Sequence, residues 1–211
     1  MTFTQKIYYN NKPLILTTDS IEYIKNNKEA KTYLAYNEAT LQNFRLAIAH
    51  LDEAGTLGAV IEGKSEASLK EVLNSLYEPI DAGGGVVMNE KNEVLMIYRR
   101  GKWDLPKGKR DEGEAIDVCA LREVTEETGL ANLKLDEKIC DTYHVYSQFG
   151  QNLLKHTTWF KMHASSTEKL VPQEEENIQE VRWIAPNDLE PIVSKSFEAI
   201  RHVLENAGLK W

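Results

Sequence analysis

The sequence predicts an α+β protein in two parts, a small mixed α/β domain at residues 1–78 and a larger domain at residues 79–211. Strand-like and helix-like segments alternate through the first part. The stretch EPIDAGGG at 78–85 follows, and its proline and three glycines are typical of a boundary. Beyond it, strand-like segments surround one central helix and one C-terminal helix, which indicates a mixed sheet covered by helices.

The first part is predicted to contain three strands and three helices. The turn NNKP separates the strand patterns QKIYY and PLILTT, which indicates a hairpin. The helix SIEYIKNN begins at Ser20, and the helix EATLQNFRLAIAHLDEAG ends at Gly55. The strand LGAVIEG follows, and the helix SEASLKEVLNSLY has Ser65 as its N-cap. None of these segments groups residues for chemistry, so we expect a docking or dimerising module.

The second part is predicted to be rich in strands. GVVMN and EVLMIYRR flank the turn NEKN as a hairpin, and DTYHVYSQ, LLKHTTWFKMHA and EVRWIA are further strands. The closing helix, SKSFEAIRHVLENAG, has Ser194 or Ser196 as its cap and Gly208 at its end. This pattern leaves one central helix between the hairpin and the later strands.

Charge and cysteine content argue against several classes of function. The chain has 211 residues and a net charge of −8, which disfavours nucleic acid as a partner. A small polyanionic substrate is compatible with this charge if metal ions supply positive charge locally. Cys119 and Cys140 lack metal-type spacing and are expected to be buried thiols of a reducing compartment. No secretory signal or membrane-length apolar run is visible, so we expect a cytoplasmic protein without a membrane partner, and a homodimer is an open option.

The central helix carries an unusual cluster of acid groups in the stretch REVTEETGL. At about 100° per residue, Glu123, Glu126 and Glu127 fall within an arc of roughly 100°, while Val118 and Leu121 are expected to face a core. Like charges at this spacing repel by only a few tenths of a kcal/mol per pair, so a solvated acidic face is one interpretation. The other is a cation site, and an all-oxygen cluster suits Mg²⁺ or Mn²⁺.

The residues around this cluster favour the cation site. The segment GKRDEGEAIDVCALREVTEETGL, residues 108–130, resembles the Nudix hydrolase signature G-x5-E-x7-R-E-U-x-E-E-x-G-U, where U is a bulky aliphatic residue. Every defined position is filled, namely by Gly108, Glu114, Arg122, Glu123, Val124, Glu126, Glu127, Gly129 and Leu130. The resemblance spans roughly residues 80 to 190. It implies an α/β/α sandwich with a mixed sheet and hydrolysis of a nucleoside diphosphate linked to another group.

The resemblance also implies roles for individual residues. The metal ligands are expected to be Glu123, Glu126, Glu127 and the backbone carbonyl of Gly108. Catalytic roles are expected for Glu123, for Arg122 as a clamp on a ligating glutamate, and for Glu114 in loop support or proton transfer. A glutamate outside the signature serves as general base in several relatives; Glu174, Glu175 and Glu176 are the candidates here, and Glu176 is favoured. The outer phosphates of the substrate are expected to contact basic side chains, with Arg99, Lys107, Lys109 and Lys155 as candidates.

The identity of the substrate stays open at this stage. WDLPKGK before the signature, with KHTTWFKM and EVRWI after it, looks most like the diadenosine polyphosphate and diphosphoinositol polyphosphate branches of the family. Hydrolysis of ADP-ribose, a nucleotide sugar or an oxidised nucleoside triphosphate is an alternative. A regulator that senses a nucleotide without turnover is another, although the complete set of glutamates weighs against it.

Overall fold

The computed structural model of the protein describes residues 2–211 and divides into two compact units. The first unit contains the described residues up to Pro79 together with Tyr143–Lys155, and the second contains Ile80–Thr142 and His156–Trp211. No helix within residues 2–211 is long and apolar enough to span a membrane.

Eleven strands and six helices make up the described chain. The strands are β1 Thr4–Tyr9, β2 Lys12–Thr17, β3 Leu34–Tyr36, β4 Ala59–Glu62, β5 Glu78–Met88, β6 Val94–Arg99, β7 Lys102–Asp104, β8 Lys107–Lys109, β9 Lys134–Gln148, β10 Gln151–His163 and β11 Ile178–Ile184. The helices are α1 Ser20–Asn26, α2 Leu41–Asp52, α3 Glu66–Leu76, α4 Ile116–Thr128, α5 Leu189–Val193 and α6 Glu198–Asn206. Short 3₁₀ turns lie at Glu29–Thr32, Glu174–Glu176 and Pro186–Asp188.

The first unit is a small sheet with helices packed on it. β1 and β2 form the predicted antiparallel hairpin, turned by Asn10 and Asn11 in the left-handed region with φ of 48° and 66°. β4 pairs in parallel with both β2 and β3. Phe44 of α2 and Leu69 of α3 are completely buried in its core. The two longer helices predicted for the first part are therefore confirmed, and both pack on the sheet.

Helix ends in the first unit differ in part from the sequence prediction. Ser65 is the N-cap of α3 in a reciprocal capping box, as predicted. α1 begins at Ser20, as predicted, and Asp19 is its N-cap; the hydroxyl of Ser20 donates to the carboxylate of Glu62. Gly55 does not end α2, whose C-cap is Glu53. Strand β3, only three residues long, was not predicted.

The second unit is a sheet with helices on both faces. Its strand order is β11-β6-β5-β10-β9, with β7 paired to β6 and β8 paired to β5. One face packs against α4 through a cluster that includes Leu95, Val124 and Met162. The other face packs against α5 and α6 through a cluster that includes Trp159 and Val203. This arrangement is the predicted α/β/α sandwich with a mixed sheet.

The glycine-rich stretch EPIDAGGG is a strand and not a loop. It forms the first part of β5, and the two compact units divide within it after Pro79. A Cβ at Gly83 would lie 2.6 Å from the backbone nitrogen of Ala120, and one at Gly85 would lie 2.7 Å from the sulfur of Met162. The glycines are therefore needed for close packing between β5 and its neighbours, which include α4.

The C-terminal helix also corrects one prediction. α6 begins after Phe197 without a side-chain cap, so neither Ser194 nor Ser196 caps it. The hydroxyl of Ser196 donates instead to the carbonyl of Ile192. Gly208 follows the helix in the left-handed region with φ of 78°, as expected for a C-terminal glycine.

Candidate active site

Helix α4 carries the acid groups, and its ends and core face are well defined. Gly129 ends the helix in the left-handed region, with φ of 76° and its N–H donating to the carbonyl of Thr125 at 2.8 Å. Ala120 and Val124 are buried and define the core face, and Leu121 packs beside them. Val118 was predicted to face the core, but it is 52% exposed. It lies two residues from Ala120, on the opposite side of the helix.

Arg122 donates hydrogen bonds to three glutamates and to one loop carbonyl. Its Nε and Nη2 donate to the two oxygens of Glu114 at 2.8 and 2.9 Å, which is a bidentate pair. Its Nη1 donates to Glu123 at 2.7 Å and to Glu126 at 3.2 Å. Nη2 also donates to the carbonyl of Lys109 at 3.1 Å. One guanidinium therefore ties the loop before α4 to the acidic face of the helix.

The ion pair between Arg122 and Glu114 shifts the pKa values of both side chains. The bonds from Arg122 lower the pKa of Glu114 to about 2, and the N–H of Asp111 adds to this effect. The same pair raises the pKa of Arg122. Glu114 is therefore ionised at neutral pH and acts as the anchor of the guanidinium.

Glu127 lies in a second, buried cluster. Its Oε1 accepts from Nη1 of Arg99 at 3.0 Å, and its Oε2 accepts from the backbone N–H of Lys107 at 2.8 Å. Asp104 completes the cluster, because its Oδ2 accepts from Nε and Nη2 of Arg99 at 3.1 and 3.0 Å and from Nζ of Lys107 at 2.6 Å. Two carboxylates and two cations thus compensate one another below the surface.

The pKa values of the two carboxyl groups are shifted in opposite directions, although burial acts to raise both. Burial raises the pKa of Glu127 to about 7, although Arg99 and Lys107 counteract it. Burial also acts to raise the pKa of Asp104, but the charges of Lys107 and Arg99 outweigh it and hold that pKa well below its usual range. Asp104 is therefore the permanent negative charge of the cluster, and Glu127 is the one whose charge varies near neutral pH.

Gly108 brings the loop into contact with the helix. A Cβ at this position would lie 1.7 Å from Oε2 of Glu123, so only a glycine lets the carboxylate lie against the backbone. β8 pairs with β5 in the register Gly83↔Gly108, which places the glycine beside the strand that packs on α4. The thiol of Cys119 is 3.8 Å from the carbonyl of Gly108.

The donor atoms of these groups are of the chemical type that divalent cations such as Mg²⁺ bind. Hard cations such as Mg²⁺ favour carboxylate and carbonyl oxygens, and Glu123, Glu126 and Glu127 present such oxygens within five residues of one helix. The space that a Cβ at Gly108 would fill is occupied by the Glu123 carboxylate. Within residues 2–211, no three acidic, histidine or cysteine side chains converge as ligands of one ion. Oxygens of the three glutamates are instead bonded to Arg122 and Arg99.

The four residues predicted to bind phosphate lie in different environments in the structure. Arg99 and Lys107 have side chains only 13% and 12% exposed, and both pair with the buried carboxylates. Lys109 is exposed at the end of β8. Lys155 belongs to the first compact unit.

Glu176 lies in the exposed turn before β11 and remains near the charged cluster. Its negative charge contributes to the raised pKa of Arg99, although burial opposes that rise and the larger contributions come from Asp104 and Glu127. The segment that leads to this turn is docked on α4, since the N–H of Val171 donates to the carbonyl of Thr128 at 2.8 Å.

Asp104 belongs to the site but was not among the residues predicted from the sequence. The residue lies in WDLPKGK, directly before the signature, and is only 4% exposed. A single aspartate among apolar residues was the available signal, because a buried carboxylate needs a cationic partner. Arg99, five residues earlier, is that partner.

The loop and acidic helix on a mixed sheet define a known class of protein. Residues 79–204 match the family model described as the NUDIX domain, and this range is more than half of the chain. The chain therefore belongs to the Nudix family, whose hydrolases generally use divalent metal ions.

Individual relatives are similar to about two thirds of the chain. The mRNA-decapping protein g5R of African swine fever virus is 30% identical over 164 residues, which cover 66% of this chain and 66% of the viral protein. The RNA pyrophosphohydrolase of Pelagibacter ubique is 29% identical over 154 residues, which cover 65% of this chain and 94% of that protein. A crystal structure of a C. elegans Ap4A hydrolase binary complex has 22% identity and a TM-score of 0.48, and covers 61% of this chain and 95% of that one.

The extent of these matches differs among the relatives. Three of the curated relatives are spanned over 37%, 66% and 32% of their own lengths. This chain therefore matches only part of these relatives, and the activities of the whole relatives are not assigned to it.

Proposed function

We propose that this protein is a Nudix pyrophosphohydrolase that cleaves a phosphoanhydride bond in a nucleoside diphosphate linked to another group or in a similarly phosphate-rich small molecule. The observation that carries the proposal is the Glu123 carboxylate held against the backbone of Gly108, beside Glu126 and Glu127 on one helix. A bound divalent cation, Mg²⁺ or Mn²⁺, would supply charge neutralisation on phosphate oxygens and polarise water. The proposed ligands are the carboxylates of Glu123, Glu126 and Glu127 and the carbonyl of Gly108.

The residues of the chain would hold this site in shape. Arg122 restrains Glu123 and Glu126 and is itself anchored by Glu114. Arg99 restrains Glu127. These partners orient the oxygen donors before substrate binds, which is the usual contribution of groups behind a metal ligand. Catalysis of phosphoryl transfer depends mainly on such positioning and on charge.

The bond changes follow from the chemistry of the linkage. The oxygen of a water molecule forms a new bond to one phosphorus, and the bond from that phosphorus to the bridging oxygen breaks. The leaving phosphate keeps the electron pair of the broken bond. The water gives its proton to a carboxylate, for which we favour Glu176, since its charge acts on Arg99 beside Glu127. Lys109, exposed at the end of β8, is the best-placed candidate for contact with an outer phosphate.

For the substrate itself we favour a dinucleoside polyphosphate or a similarly phosphate-rich small molecule. The segments WDLPKGK, KHTTWFKM and EVRWI support this choice by their resemblance to that branch. The net charge of −8 opposes a long polyanion more than a short one, because non-specific contacts to a nucleic acid backbone need a basic face. RNA with a 5′-polyphosphate end is the second candidate, because two relatives carry the names mRNA-decapping protein and RNA pyrophosphohydrolase.

A substrate panel tests this proposal. The pure protein is incubated with Mg²⁺ in ¹⁸O-labelled water and a dinucleoside polyphosphate, an inositol pyrophosphate, ADP-ribose, an oxidised nucleoside triphosphate or a 5′-triphosphorylated oligoribonucleotide. We expect kcat/KM for the dinucleoside polyphosphate or the inositol pyrophosphate to exceed the others by at least about tenfold. The label should enter one phosphate product, and a chelator should stop the reaction. A higher kcat/KM for the oligoribonucleotide would select the second candidate, and no turnover of any substrate would refute the proposed activity.

A further inference from the structure

His156 on β10 bridges two aspartates that lie outside the Nudix signature. Its Nδ1 is 3.2 Å from Oδ1 of Asp81 on β5, and its Nε2 is 3.0 Å from Oδ1 of Asp141 on β9. The side chains are about one-quarter to two-fifths exposed, at 33%, 41% and 26% respectively. Both ring nitrogens are therefore engaged, and the imidazole links the two neighbouring strands of the sheet to its own.

Asp81 connects this histidine to the loop that begins the signature. Its Oδ2 accepts from Nη2 of Arg110 at 2.8 Å, and its carbonyl accepts from the backbone N–H of Arg110 at 3.0 Å. Arg110 follows Gly108 by two residues, and the adjoining register pairs Ala82 with Lys109. Asp81 thus holds the end of β8 through both its backbone and its side chain.

The other end of the bridge is fixed to the sheet. Asp141 accepts from Nζ of Lys138 at 2.6 Å and from the hydroxyl of Thr158 at 3.0 Å. Burial acts to raise the pKa of Asp141, but the bonds from Lys138, His156 and Thr158 outweigh it and lower that pKa. A continuous chain of contacts therefore runs from Lys138 through Asp141 and His156 to Asp81 and Arg110.

We infer that His156 is a positioning residue for hydrolysis. By fixing Asp81, His156 holds the backbone of Gly108–Arg110 in the position where Gly108 contacts the Glu123 carboxylate. The distance between that backbone and α4 sets the geometry of the proposed cation site, and small displacements of reacting groups reduce rates strongly. The consequence for catalysis rests on the proposed function, whereas the coupling of His156 to the loop does not.

The chain offers a matched control on the same two strands. His163 of β10 lies 3.0 Å from Asp136 of β9, so it forms the same kind of pair. The other ion pair of Asp136 is with Lys134, which is also on β9. A His163→Gln variant therefore loses a histidine–aspartate pair of the same strand pair without touching the bridge to Arg110.

The test compares His156→Gln with His163→Gln by amide hydrogen exchange and by kinetics. In His156→Gln, exchange of the Arg110 N–H should accelerate at least about tenfold, and kcat should fall about 10- to 100-fold while KM stays within about twofold. His163→Gln should match the wild type in both measurements. Asp81→Asn, which keeps an oxygen for Arg110 but removes the charge, should show the same pattern and serves if His156→Gln does not fold.

Three outcomes overturn the inference. The first is wild-type exchange at Arg110 in both His156→Gln and Asp81→Asn. The second is faster exchange with unchanged kcat, which would make the bridge purely structural. The third is an equal response in His163→Gln. If the wild type hydrolyses no substrate, the proposed function fails, and the exchange measurement still decides whether His156 holds the loop.

Discussion

At the scale of single residues, two arginines determine the electrostatics of the acidic helix. The sequence favoured a cation site as the reason for the crowding of glutamates on this helix. The structure adds Arg122 beside Glu123 and Glu126, and Arg99 beside Glu127. The role of Arg122 as a clamp was suggested by the signature, while Arg99 was expected to bind substrate. Its burial could not be read from the sequence, because it depends on the long-range approach of β6 and α4.

Glu127 gives a prediction for the pH dependence of stability. Its pKa is raised from 4.5 to about 7 in the folded protein. Its contribution to stability is therefore fully present below pH 4.5 and is lost as pH rises through about 7, because the unfolded chain ionises this group first. In metal-free buffer, the free energy of unfolding of Glu127→Gln relative to wild type should rise by on the order of 1–3 kcal/mol between pH 5 and pH 8. Urea unfolding measured at several pH values tests this, and a difference that does not change with pH would contradict it.

At the scale of secondary structure elements, local patterns were predicted well and close packing was not. The sequence identified the segments that form α2, α3, α4 and α6, and Gly129, a defined position of the signature, ends α4. A run of glycines such as that in EPIDAGGG can indicate either a turn or close packing of the backbone. The sequence alone does not distinguish these two roles. In β5 the close contact with α4 determines their role. Val118 was placed wrongly for a related reason, since an apolar residue near the start of a helix does not have to face the core.

The turn at Glu174–Glu176 gives a prediction about the general base. If Glu176 accepts the proton of the attacking water, Glu176→Gln should lower kcat about 10²- to 10⁴-fold and remove the acidic limb of the pH–rate profile. Its neighbour provides the control, because Glu175 is exposed in the same turn and Glu175→Gln should change kcat by less than about twofold. The pH–rate profiles of both variants with the best substrate test this. If Glu176→Gln keeps the wild-type profile, the base lies elsewhere, and Glu114 is the next candidate.

At the scale of the whole molecule, the chain combines a Nudix domain with residues that lie outside the family match. The family match begins at residue 79. The sequence placed a domain boundary after residue 78, which stays a prediction. It did not predict that Tyr143–Lys155 would belong to the first compact unit. That assignment depends on a pairing between β1 and β9, which joins Ile7 to Tyr143 across more than half of the chain. A pairing between strands that are far apart in the sequence leaves no local sequence pattern. Sequence analysis therefore assigns each segment to the same domain as the segments next to it in the chain. A docking or dimerising role for the first unit stays a hypothesis.

The central claim is that the loop at Gly108 and the acidic face of α4 form a cation site that hydrolyses a phosphoanhydride. The most direct measurement is the Mg²⁺-dependent turnover of Glu123→Gln beside Glu112→Gln, which alters an exposed glutamate of the preceding loop. Unfolding curves for both variants establish that they are folded. We expect kcat of Glu123→Gln to fall by at least about a hundredfold while Glu112→Gln keeps the wild-type value. Wild-type turnover in folded Glu123→Gln would contradict the account.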